Sequence, residues 1–150
     1  MLAKCFVVDV SVKASADYLV STQDIYEFEQ EFGEILPGSI VVFKTGWEKY
    51  WDNPKKYHNN LQFPSVSEEV AAYLAERKIA GIGIDTLSPD IGTSAFPVHH
   101  ILLSNGMFIL ENMANLGALP KSGAYILPAV IPIVHGTESP VRVIAFIKDK

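Results

Sequence analysis

With 150 residues, 49% of them hydrophobic, the chain is long enough to build one core, and a domain of this size buries roughly 68–70% of its unfolded surface. A net charge of -5 and the lack of a dense Lys/Arg stripe argue against a nucleic-acid partner held by phosphate neutralisation. The single cysteine, Cys5, excludes an intrachain disulfide, and no apolar run reaches the roughly 20 residues of a membrane-spanning helix, so a cytoplasmic location with no membrane partner is expected.

Punctuation along the chain predicts one domain, residues 1–150, of alternating strands and helices. Cys5 to Val12 is apolar and β-branched and reads as a first strand, with Cys5 packed rather than reactive. Ser21 or Thr22 caps a helix that presents Ile25, Phe28 and Phe32 on one face, and Gly33 stops it. Pro37-Gly38 introduces a buried strand from Ser39 to Lys44. Thr45 to Phe63 is a long irregular region, of a length that is often functional, and it is rich in aromatics. Those aromatics form either the wall for an aromatic substrate or ordinary packing, and packing is the stronger reading.

Ser65 and Glu68 fit a capping box for the next helix, where Val66, Val70 and Leu74 share a face and Arg77 and Lys78 occupy the last turn. It leads into a strand from Ile79 to Ile84. Gly81 and Gly83 fall inside that strand with no third glycine opening a helix, which excludes a dinucleotide fingerprint and suggests close approach of another backbone. Asp85 falls at the strand's end, followed by Thr86, Ser88, Pro89 and Asp90. Strand C-termini in α/β sheets face the ligand crevice, so Asp85 and Ser88 are candidates for hydrogen bonds to ligand-binding groups. The simpler alternative is a turn whose Asp and Ser side chains satisfy local N–H groups.

The most informative stretch is Phe96 to Leu116. His99 sits near the start of an apolar helical turn that Ser104-Asn105-Gly106 terminates, and Glu111 directly follows a buried strand, Met107 to Leu110. If the chain reverses at Gly106, the helix descends about 8 Å and the strand climbs back about 10 Å, so both side chains reach one end. An imidazole and a carboxylate converging there form half of a Zn or Mn site; the alternative is a surface histidine beside a glutamate that caps or pairs with a neighbour. Two strand-like segments close the chain, Ala124 to Val134 and Val141 to Ile147, with His135 in the turn between them. Pro128 and Pro132 remove ladder donors and predict an edge, bulged or broken strand. The fold class expected from these elements is α/β, a mixed sheet with flanking helices.

Five segments, in order, carry a more specific signal: VVDVS from Val7, PGSIVVFKTGW from Pro37, FPSVSEEVAAYLAERKIAGIGIDTLSPD from Phe63, FPVHHILLSNGMFILENMANL from Phe96 and ESPVRVIA from Glu138. Together they resemble the cyclase family of metal-dependent hydrolases, which includes bacterial kynurenine formamidase and isatin hydrolase. The resemblance implies a swivelling β/β/α fold, with His99 of the FP-x-H segment and Glu111 of the ILEN segment as ligands to a divalent metal, Zn or Mn. His100 falls at a variable position. Trp47, Phe63, Phe96 and Asn112 are the candidate substrate contacts, with Asp85 and Ser88 supporting the ligands from behind.

Family members also carry, ahead of the VVDVS-like strand, a segment of the form H-x-G-T-H-x-D-x-P-x-H that supplies further ligands and an acid/base histidine. This chain has no H-x-x-x-H-x-D, and His58 and His135 lie in segments that do not match. No catalytic residue is therefore identified in it, and an N-terminally incomplete family domain is expected. The implied activity is metal-dependent hydrolysis of a small-molecule amide, of kynurenine formamidase (arylformamidase) type, with this polypeptide inactive alone. The alternatives are a non-catalytic cyclase-like subunit or binding protein, and a fragment of a longer enzyme. A homodimer or larger oligomer is expected, because a sheet edge or groove that the upstream segment normally covers would lie exposed.

Overall fold

The computed structural model describes residues 1–148. Along the chain these form β1 (Ala3–Asp9), β2 (Leu19–Val20), α1 (Thr22–Phe32), β3 (Ile40–Lys44), α2 (Pro54–His58), β4 (Ser65–Val66), α3 (Glu68–Glu76), β5 (Gly81–Ile84), α4 (Pro97–Ser104), β6 (Phe108–Leu110), β7 (Ala124–Val130) and β8 (Val141–Phe146). Short 3-10 turns occupy Trp47–Tyr50, Asn59–Leu61 and Leu116–Ala118. The main sheet runs β6-β5-β3-β1-β7-β8, and β2 pairs with β4 in a small separate ladder.

The central strands are apolar on both faces because both faces are covered, as parallel strands require. β1, β3, β5 and β6 are parallel, with Val7 opposite Val42 and Val42 opposite Gly83. Successive side chains alternate between two cores. Phe6, Val8, Val41, Phe43, Ile82 and Ile84 point into the larger one, which α1, α3 and α4 close with Ile25, Phe28, Val70, Leu74, Val98 and Leu102. Cys5, Val7, Ile40 and Val42 point the other way, onto Leu110, Met113, Leu116, Ala124 and Ile126. Burial pushes the Cys5 thiol up to about 12, so it packs as an inert apolar group.

Several boundaries differ from those the sequence predicts. β1 stops at Asp9 rather than Val12, since the Asp9 carboxylate accepts the Ser11 N–H at 3.0 Å and turns the chain. Ser67, not Ser65, caps α3, accepting the Val70 N–H at 3.2 Å, because Ser65 and Val66 are taken up by the ladder with Leu19 and Val20. Lys78 lies outside that helix at φ 55°. β7 ends at Val130 rather than Val134, so Pro132 falls beyond it, and β8 ends at Phe146. Pro128 is tolerated inside β7 because β1 pairs only with Ala124–Ile126, and further along β8 is the sole neighbouring strand.

The two strand glycines mark close approaches. A Cβ at Gly81 would run into the Phe108 carbonyl and ring, and one at Gly83 into the Met113 sulfur. Both contacts pull the 108–113 segment, and with it Glu111, tightly against β5. Among the described residues, no helix is long and apolar enough to cross a membrane.

Candidate functional site

β5 and β6 are neighbouring parallel strands, and α4 is the crossover between them. The C-terminal ends of both strands and the first turn of α4 therefore meet at one edge of the sheet. His99 lies in that first turn and Glu111 one residue past β6. Their side chains converge, His99 Nε2 lying 3.5 Å from Glu111 Oε1, and both are partly exposed. This is the juxtaposition that the helix-turn-strand arithmetic anticipates, and it is local: the reversal at Gly106, φ 74°, sets it.

The segment after β5 holds both groups in place. Asp90, buried, accepts the Val98 N–H at 3.1 Å through Oδ1 and the His99 N–H at 3.0 Å through Oδ2, and Oδ2 also lies 2.7 Å from His99 Nδ1. Ser88 Oγ accepts the Asp90 N–H at 3.1 Å, and Ser88 lies beside the Glu111 carboxylate. Desolvation raises the pKa of the Glu111 carboxyl above the ordinary glutamate value. His99 and Ser88 oppose the shift, while the nearby Glu138 and Asp90 carboxylates reinforce it.

Asp85 is fully buried, and its carboxylate is hydrogen-bonded to Thr45 rather than to this pair. Its Oδ1 accepts the Thr45 N–H at 2.8 Å and the Thr45 hydroxyl at 2.7 Å, and its Oδ2 lies 3.4 Å from the Glu48 N–H. Asp85 thus ties the end of β5 to the loop after β3. Tyr57 extends the tie: its phenol donates to the Asp85 carbonyl at 3.0 Å and lies 3.1 Å from Asn112 Oδ1. The phenol has one proton to give, so these two oxygens compete for it. Asn112, exposed and at φ 55°, anchors its own N–H on the Thr86 carbonyl at 2.9 Å and so holds the backbone beside Glu111.

The four candidate substrate contacts divide. Trp47 and Phe63 are buried in a small third core with Tyr57, and the Trp47 indole N–H donates to the Tyr57 carbonyl at 2.9 Å. They do not line the cleft beside His99. Phe96 is 42% exposed and stands edge-on to the His99 ring, centroids 5.8 Å apart. That cleft, about 680 Å³, has His99 and Glu111 in its wall and apolar flanks from Leu103, Phe108, Pro128, Ile131, Ile133 and Val141. His100 points to solvent, and His135 is a turn residue at φ 58°.

Asp90 and Glu138 are residues that the sequence reading does not single out. A signal for Asp90 was present: Pro97 opens α4 but Phe96 precedes it, and a phenylalanine caps nothing, so a remote acceptor is needed. For Glu138 there was none, because its approach depends on how the β7–β8 hairpin folds over β6.

Fitting a metal to this arrangement gives a partial answer. A neutral imidazole nitrogen and a carboxylate oxygen facing one point are donors suited to Zn or Mn. Two such donors fit part of a coordination sphere, and among the described residues no group of three or more His, Cys, Asp or Glu side chains converges on one cation position.

A mixed sheet with an α4 crossover, and a histidine-carboxylate pair at its strand ends, defines an α/β protein with a candidate site at one sheet edge. The chain belongs to the Cyclase family, whose model, described as "Putative cyclase", matches residues 1–91. It is 32% identical to isatin hydrolase from Roseibium aggregatum over 98% of its own length and 60% of that protein. It is 34% identical to kynurenine formamidase from Polaromonas naphthalenivorans over 55% of its length and 37% of that protein. Among solved structures, an isatin hydrolase bound to the product analogue thioisatinate superposes with a TM-score of 0.93, at 31% identity, covering 99% of this chain and 61% of that one. A potential metal-dependent hydrolase with cyclase activity superposes with a TM-score of 0.78, at 26% identity, covering 99% and 67%. The mixed sheet with flanking helices is therefore the cyclase-family fold, and the chain spans about 60% of the length of the isatin hydrolases it matches.

Proposed function

We propose that this chain is the larger part of a metal-dependent hydrolase that cleaves the C–N bond of a small amide, with His99 and Glu111 as two of the metal ligands. The observation that carries this reading is the 3.5 Å convergence of His99 Nε2 and Glu111 Oε1 at the edge of an apolar cleft. A divalent ion bound there supplies acidification of a water molecule and polarisation of the scissile carbonyl. The chain's own residues orient and desolvate: Asp90 fixes His99, and the apolar flanks of the cleft exclude bulk water and accept a flat, apolar substrate body. Open-chain N-formyl aromatic amides, of the kind kynurenine formamidase is named for, and cyclic amides of the isatin type both suit such a cleft. The near full-length similarity to isatin hydrolase favours the cyclic amide.

The remaining ligands and the acid/base group come from outside the described residues, supplied by a neighbouring chain or by the part of the family's length not spanned here. On that reading the polypeptide by itself turns over weakly, since general acid–base catalysis alone contributes about 10²–10⁴ in rate. The second reading, a non-catalytic binding subunit, draws on the absence among the described residues of a third converging ligand. Calorimetric titration with Zn and Mn, alongside hydrolysis of isatin and of an N-formyl aromatic amide, tests both readings on the wild-type chain and on His99→Ala. Metal binding lost in the variant, with weak turnover lost alongside it, is the expected result. Metal binding that survives His99→Ala refutes the assignment, and binding without any turnover favours the subunit.

A further inference from the structure

We propose that Asp90 is a positioning residue that decides which imidazole nitrogen of His99 is free: it keeps the ring proton on Nδ1 and leaves the Nε2 lone pair facing Glu111. The inference rests on the metal reading above for its purpose, though not for its geometry. An ionised carboxylate only accepts hydrogen bonds. Both Asp90 oxygens already accept backbone N–H bonds, from Val98 at 3.1 Å and His99 at 3.0 Å, so the proton in the 2.7 Å contact belongs to His99 Nδ1. Neutral imidazole carries one ring proton, and fixing it on Nδ1 makes Nε2 an acceptor.

The far side of the ring agrees. At 3.5 Å, a proton on Nε2 would lie beyond a normal N–H···O bond to Glu111 Oε1. With Nε2 bare, two electron-rich atoms face one another 3.5 Å apart, a pair of donors that a shared cation would suit. The same carboxylate also anchors the helix that carries His99. Phe96 stands at the N-cap of α4 with φ 55° and ψ 48° and offers no side-chain cap, so Asp90 serves the first-turn N–H groups in its stead. Backbone and side chain of His99 are thus gripped by one group, which leaves the ring little freedom to rotate or to shift its proton.

A cap and a tautomer lock are separable by experiment. Ser94 Oγ accepts the Phe96 N–H at 3.1 Å and steadies the same helix start without touching the His99 ring. Long-range ¹H–¹⁵N correlation on the metal-free chain, at a pH where histidine side chains are neutral, reads the tautomer directly. The wild type is expected to show the proton on Nδ1. Asp90→Ala releases it and lets Nε2–H appear, while Ser94→Ala leaves it on Nδ1. Zinc titrated alone should bind about 10–100-fold more weakly to Asp90→Ala, in line with loss of a group that orients a ligand, and nearly unchanged to Ser94→Ala. A wild-type chain with its proton on Nε2 overturns the proposal, and needs no variant to fold. Equal loss of zinc affinity in both variants, with the tautomer unmoved, also overturns it, since Asp90 would then only cap. A wild type with the proton on Nδ1 that binds no zinc upholds the tautomer assignment and sinks the metal reading instead.

Discussion

Replacing Asp85 by alanine tests whether the buried tie behind the site has the energetic weight its geometry implies. The carboxylate accepts two short hydrogen bonds from Thr45, at 2.8 and 2.7 Å, and approaches the Glu48 N–H at 3.4 Å, all in a fully buried setting. Hydrogen bonds to a charged acceptor contribute about 1.5–3 kcal/mol each, so the two Thr45 bonds together represent about 3–6 kcal/mol. Removing the desolvated charge returns part of this, while the Thr45 N–H and hydroxyl are left without a partner. The net loss expected is about 3–5 kcal/mol, within the range for breaking a buried polar pair. Asp85→Asn keeps a carbonyl oxygen for Thr45 but turns an NH2 toward the Glu48 N–H, and should cost about 1–2 kcal/mol. Urea unfolding with unchanged slope measures both. If Asp85→Ala loses less than about 1 kcal/mol, the tie is only a surface-like turn and the reasoning fails.

Three further outcomes follow from the wider fold. Asp9 is raised by desolvation but held well below the usual carboxylate range by hydrogen bonds from Lys121, Ser11 and Lys44. Its contribution to stability is complete above the ordinary aspartate pKa of about 3.9 and is lost as pH falls through the lower folded value; Asp9→Asn should therefore lower the Tm near neutrality, with the gap to wild type closing below about pH 4. Gly81→Ala drives a methyl into the Phe108 carbonyl and ring and should destabilise by about 1–3 kcal/mol, read by thermal unfolding; a neutral result would refute the close approach. Val134, Ile144, Phe146 and Ile147 expose apolar surface along the β7–β8 hairpin, and a homo-oligomer that buries it is expected in sedimentation at micromolar concentration; a monodisperse monomer contradicts this.

The parts of this molecule legible in the sequence are those fixed over short distances. The apolar runs of β1, β3 and β5 could only be buried on both faces, and the α4–Gly106–β6 reversal joins His99 to Glu111 through consecutive residues. The capping of α1 was equally local: Ser21 sits at its N-cap, and its N–H donates to Asp24 at 2.8 Å. Contacts through space were not legible in the same way. Periodicity carries no trace of the two-residue pairing of β2 with β4, which moved the α3 cap from Ser65 to Ser67. For Trp47 and Phe63 the reading of packing over a substrate wall holds, although periodicity alone does not decide it, because an aromatic in a long loop has the same pattern either way. Asp90 was only half legible: the uncapped start of α4 at Phe96 called for a remote acceptor, but a loop without periodicity does not say which residue supplies it.

Ser88, Asp90, His99 and Glu111 all lie in one unbroken run of chain, from the end of β5 to just past β6. The half-site is accordingly inherited as a block: a recombination boundary on either side leaves its geometry whole, whereas a one-residue slip of β6 against β5 would move Glu111 to the opposite face of the sheet and separate the pair. It also predicts how the site comes apart. Segments that are contiguous and mutually hydrogen-bonded open together, so amides from β5 through β6 should exchange with solvent as a single cooperative unit, and the pair should be lost in one step rather than one residue at a time.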